Sequence, residues 1–122
     1  MPSARPLLAR VPILQGTYFL VTGMWPLLSR RSFERVTGPK ADFWLAQTVG
    51  VLVTGIGTVI LVAERRRRIT PEIQLLAVAS ATGLALVDVA FVARNRISKV
   101  YVLDALAEAA LAAGWLARRS QG

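Results

Sequence analysis

The chain has 122 residues, the length of one domain, with 54% hydrophobic and 18% charged residues and a mean hydropathy of +0.50. It contains no Cys and no His, which excludes disulfides, thiolate and imidazole chemistry, haem ligation through either residue, and most zinc or copper sites. The formal charge of +8 would suit a nucleic-acid partner, but no basic face with interleaved aromatics is present, so we expect none.

High hydropathy and abundant charge coexist because the two are segregated. Residues 11–28, 43–63, 73–93 and 100–116 are apolar blocks, and nearly all Lys and Arg fall between them. A membrane helix needs roughly 17–25 mostly apolar residues. The second and third blocks meet this easily, and the first and last are at the short end. A soluble bundle would need a charged stripe along each helix, yet residues 43–63 hold no charge at all. The expected fold is therefore all-α: one domain over residues 1–122, an integral membrane four-helix bundle with up-down antiparallel topology. Its helices are expected over about 11–28, 43–63, 71–93 and 99–117. Basic loops would lie against anionic lipid head groups.

In chain order, the first ten residues form a basic tail with Pro2 and Pro6. With the apolar run they imitate a signal peptide. No small-x-small cleavage site follows, so a retained first helix is expected. On that helix Gln15, Tyr18, Thr22 and Trp25 are spaced 3, 4 and 3 apart and share one face. Pro26 should loosen its last turn. Residues 29–41 hold a short turn that Ser32 can cap and Gly38-Pro39 can end. It should lie in the interface, Phe33 and Val36 down, Arg30, Arg31 and Arg35 up, as a connector or a lid.

The second helix should start near 39–42. Gln47, Gly50, Thr54 and Thr58 lie along one side, and Gly50, Gly55 and Gly57 suit close helix packing. A run of Arg at 65–68 ends it, and Thr70-Pro71-Glu72 supplies cap, first-turn proline and first-turn acid for the third helix. Ala77, Ala81 and Ala85 form a seam there. After Arg94-Asn95-Arg96-Ile97, Ser98 can cap the fourth helix. Asp104, Glu108, Leu111 and Trp115 share one of its faces, with Ala105, Ala109 and Ala112 or Ala113 for close contact.

Three acids inside apolar segments need partners, water or a function. Folding the last two helices about Arg96 sets Asp88 opposite Asp104, each eight positions from the centre. Asp88 then lies about 9 Å beyond Arg94 and Glu108 about 6 Å deeper than Asp104. In an up-down bundle Tyr18, Thr22 and Gln47 fall in the same half, and Gln15 lies about as deep as Glu108. A carboxylate in low dielectric gains a cation, gains hydrogen bonds or takes up a proton. Arg30, Arg31, Arg94 and Arg96 are the rim cations at hand, and Gln15, Gln47, Tyr18 and Thr22 the donors. Asp88 and Asp104 could simply pair with loop arginines. Glu108 has no basic residue within a turn on its own helix, which favours a functional role.

The expected function is binding or transport of a small amphipathic or cationic ligand in an acid-lined polar cavity, coupled to protons. The alternative is a non-catalytic accessory or scaffold subunit of a membrane complex, redox complexes included. A membrane enzyme acting on a lipid or isoprenoid, with Glu108 and Asp104 as acid and base, ranks below both, because two carboxylates alone are an unspecific pattern. No cofactor and no metal are expected. The expected partners are the lipid bilayer, the small ligand, and a second copy or a membrane-complex subunit. The side bearing both termini carries eight basic residues and the other seven. The compact cluster at 65–68 tips the expectation to cytoplasmic termini of a multi-pass protein in the inner (plasma) membrane.

The stretches GTYFLVTGMWPLL, SFERVTGPKADFWL and GVLVTGIGTVIL resemble the first half of small bacterial four-helix membrane proteins of the DoxX-like kind. That resemblance implies a four-helix bundle, in some cases beside quinone-linked redox complexes, and carries over no catalytic residue. Small multidrug transporters are similar in size and charge balance, but have an essential Glu in the first helix where this chain has Gln15.

Overall fold

The computed structural model describes residues 8–38, 42–94 and 99–121, with side chains to 118. It is all-helical, with no strand among the described residues. Five helices follow in order: α1 Val11–Leu28, α2 Arg30–Thr37, α3 Phe43–Arg65, α4 Pro71–Ala93 and α5 Tyr101–Gln121. The expected start of the second long helix at 39–41, and the Ser98 cap, lie outside the described residues. The last helix continues past 117, because Arg118 is still helical and covers the Trp115 ring at 5.6 Å.

Local chemistry sets the helix ends. Pro12 opens α1, where a missing N–H is harmless. Ser29, rather than Ser32, caps α2: its side chain accepts from the Ser32 N–H at 3.3 Å. Helix α2 therefore begins directly after α1 and is a full two turns. Gly38 ends it with φ of 95°, a conformation favouring glycine, and returns its N–H to Glu34 O at 2.8 Å. Thr70 caps α4 as its sequence implies, accepting from the Ile73 N–H at 3.3 Å.

Helices α1 and α3 pack most closely, α4 packs on α5, and contact between these two pairs is sparser. Glycine explains the first seam. A Cβ built on Gly23 would lie 2.7 Å from Gly50 O, and one on Gly57 2.8 Å from Gly16 O. These pairings, 16 with 57 and 23 with 50, also show that α1 and α3 run antiparallel. Gly55, expected in the seam, instead faces open space. Alanine performs the corresponding role in the other pair, with Ala77, Ala81, Ala105 and Ala112 buried. All four long helices meet in one apolar cluster of Val11, Ile60, Ala77 and Trp115.

The outer faces are apolar. Trp44, Leu52, Leu75, Leu86, Leu103 and Leu106 are each at least 62% exposed, far more apolar surface than a water-soluble monomer presents. Three helices, Val11–Leu28, Phe43–Arg65 and Pro71–Ala93, are long and apolar enough to cross a membrane. Helix α5, with its two acids and basic end, falls outside that set.

Candidate functional site

The polar side chains gather on the inner faces of α1, α4 and α5. Tyr18 is placed by the Gly16–Gly23 face of α1, which locks against α3 and turns the next stripe toward α5. Its hydroxyl donates to Asp104 Oδ1. The carboxyl of Asp104 also meets that of Asp88 on α4. Glu108, one turn further along α5, is 1% exposed, and Asp88 is 6% exposed. Both lie close enough to Tyr18 and Asp104 to interact electrostatically. Asp88 Oδ2 and Glu108 Oε1 are fully buried without a hydrogen-bond partner.

Gln15 forms a second, separate polar group. Its Nε2 donates to Ala77 O at 2.9 Å, and its Oε1 accepts from the Trp115 indole N–H at 2.6 Å. Ser80 Oγ donates to the same Ala77 carbonyl at 3.1 Å. Gln15 thus uses its amide on α4 backbone and α5 indole rather than on Glu108. The physical reason is Trp115: a 2% exposed indole N–H needs an acceptor, and Gln15, 0% exposed, is it. Trp115 and the Ala77 carbonyl were not evident as site members from residue type. The seven-residue step from Glu108 to Trp115 along one helix face was the available signal.

Other expected members stand apart. Thr22 bonds back to Tyr18 O within α1 at 2.7 Å. Gln47 is exposed on α3, because the Gly50–Gly57 seam fixes the rotation of that helix and turns Ala46 inward instead. Arg30 pairs with Glu34 at 3.0 Å and sits 4.7 Å over the Phe43 ring. Arg94 stacks over Phe91 at 5.8 Å, and Arg31 is exposed. Arg96 lies outside the described residues. Among the described residues, no arginine pairs with Asp88, Asp104 or Glu108, so the expectation of acids held by rim arginines is not met there. Arg30 and Arg94 lie over the rings of Phe43 and Phe91 instead.

No group of three potential ligands among the described residues is arranged to hold a metal ion. An open apolar depression on α1, lined by Leu20, Val21, Met24, Trp25 and Leu28, includes none of the acids. The α2 rim is held by Phe33, in edge contact with Trp25 at 5.3 Å and with Phe43 at 6.1 Å, and by the Trp25 indole N–H donating to Ser32 Oγ at 2.9 Å. That packing suits the connector role of α2.

No family model, curated protein or solved structure matches this chain.

Proposed function

We propose that the chain is a multi-pass protein of the inner (plasma) membrane. In this reading it is an up-down four-helix bundle with α5 as the fourth crossing and both termini cytoplasmic. Its buried acids bind a small cationic or amphipathic ligand in exchange for protons. The observation that carries this is the pair of buried, unpartnered oxygens, Asp88 Oδ2 and Glu108 Oε1. Buried carboxyl atoms are costly to leave unsatisfied, and in a low-dielectric interior the partner is a proton or an incoming cation. Helix α5 can cross despite its acids because they face inward, while Leu103 and Leu106 face out.

The test is proton release from the purified full chain in weakly buffered detergent on addition of tetraphenylphosphonium. Release is expected from wild type and not from Glu108→Gln. No release, or equal release from both, would remove the reading. The alternative, a non-catalytic scaffold subunit, draws on the Tyr18–Asp104 and Gln15–Trp115–Ala77 bonds, which tie helices together whatever else they do. In that case tetraphenylphosphonium releases no protons and Tyr18→Phe alters stability alone.

A further inference from the structure

Among the described residues, three side-chain hydrogen bonds join the two tight helix pairs. Gln15 of α1 reaches Ala77 of α4, Trp115 of α5 reaches Gln15, and Tyr18 of α1 reaches Asp104 of α5. Within the α1/α3 pair the contacts are backbone against backbone through Gly16, Gly23, Gly50 and Gly57. Backbone seams of this kind cannot slide or widen without losing packing over several turns, so each pair behaves as one body. The contact between pairs is sparser and differs at its two ends.

At one end lies the apolar cluster of Val11, Ile60, Ala77 and Trp115, with the doubly bonded Gln15 inside it. At the other lie the acids. The titratable groups facing one another there are Tyr18 from α1, Asp88 from α4, and Asp104 and Glu108 from α5. Helix α3 carries no ionisable residue between 43 and 63. Among the described residues, one side-chain hydrogen bond, Tyr18 to Asp104, joins the pairs at this end, and two carboxyl oxygens are left unpartnered.

We propose that the acid site is reached by a hinged parting of the two helix pairs, pivoting on the Val11–Trp115 cluster and latched by the Tyr18–Asp104 hydrogen bond. The inference rests on the proton-exchanging site proposed above and supplies its route of access. Opening at the acid end breaks one hydrogen bond, Tyr18 to Asp104. Opening at the other end would strand Gln15, the Trp115 indole and the Ala77 carbonyl without partners in an apolar interior, which is the more expensive choice. Parting of bodies while packed seams stay intact is the hinge mode of domain motion.

The chain has no cysteine, so a tie can be placed at the pivot. The Val11 Cβ lies 4.0 Å from a Cβ built on Gly114, within the roughly 3.5–4.5 Å that a disulfide spans. The experiment measures modification of Glu108 by dicyclohexylcarbodiimide, an apolar reagent for protonated carboxyls, by peptide mass in the purified full chain. Three proteins are compared: wild type, Val11→Cys/Gly114→Cys after oxidation, and Tyr18→Phe. The oxidised tie should react within about twofold of its own reduced form, since local opening elsewhere is independent of it. Tyr18→Phe should react about tenfold faster, the effect of losing one hydrogen bond from the closed state. Suppression by the tie overturns the pivot. An unchanged rate in Tyr18→Phe overturns the latch, and absence of reaction in every form overturns the parting itself. Proton release by tetraphenylphosphonium is read on the same samples, so a failed hinge with intact release leaves the site standing, whereas lost release removes the site.

Discussion

Tyr18 and Asp104 lie 86 positions apart in sequence and are joined directly, phenol to carboxyl, across the boundary between the two helix pairs. Asp104 is at the same time in contact with Asp88. One carboxyl group therefore connects α1, α4 and α5.

This arrangement predicts unequal effects of two small substitutions. Tyr18→Phe removes the donor and should lower stability by about 1–2 kcal/mol. Asp104→Asn keeps an acceptor for Tyr18 and gains a donor for Asp88, so it should lower stability less. Thermal unfolding in detergent, followed by helical circular dichroism, measures both. A Tyr18→Phe protein as stable as wild type would show that the bond contributes nothing to the fold.

Glu108 offers the opposite test. Its Oε1 is buried without a partner, so Glu108→Leu, similar in volume, should leave stability unchanged or raise it by about 1 kcal/mol. The same protein should release no protons on addition of tetraphenylphosphonium and should lose one protonated-carboxyl stretching band in the infrared. Marked destabilisation would instead mean that the carboxyl is structurally bonded.

The α1/α3 seam predicts sharp contrasts among glycines. A Cβ on Gly23 meets Gly50 O and the Thr54 backbone, at 2.7 and 2.8 Å, which only a backbone shift can relieve. Gly23→Ala should therefore destabilise by roughly 1–3 kcal/mol or more. Gly55→Ala meets nothing within 4 Å and should stabilise α3 by up to about 1 kcal/mol through helix propensity. Equal effects at the two sites would contradict the seam. Thermal unfolding in one detergent ranks them directly.

Single cysteines in this cysteine-free chain test the crossings. With α5 as a fourth crossing, cysteines at Ser3, Thr70 and Ser120 should react with an impermeant maleimide from one side of sealed vesicles. Those at Arg35 and Arg94 should react from the other. Reaction of Ser3 and Ser120 from opposite sides would reduce the number of crossings to an odd one.

The long helices were legible because their apolar blocks are separated by charged or capping residues, with Thr70-Pro71-Glu72 the clearest signal. The facing of Asp88 and Asp104 was legible too, since equal distance from residue 96 fixes register in a hairpin. Rotation about the helix axis was less accessible. Gln47 looked inward by its spacing with Gly50, but backbone approach at Gly50 and Gly57 decides the facing of α3 and leaves Gln47 out. The partner of Gln15 was hidden for a related reason. Depth along the helix suggested Glu108, whereas a buried indole on α5 and a carbonyl on α4 compete better for an amide that can donate and accept at once.

Unequal helix lengths carry a consequence for the surrounding lipid. Helix α1 has 18 residues and the uncharged part of α3, residues 43–63, has 21, about 27 and 32 Å at 1.5 Å per residue. Packed antiparallel along one seam, they differ in apolar height by roughly 5 Å, which a modest tilt absorbs. Helix α2 lies where α1 stops short, with Phe33 between Trp25 and Phe43. It forms a shelf beside the end of α3, and acyl chains meeting that shelf have less height to fill. In the proposed crossing the apolar height beside α1 is therefore about one helical turn less than beside α3, and tilt of the pair takes up the difference.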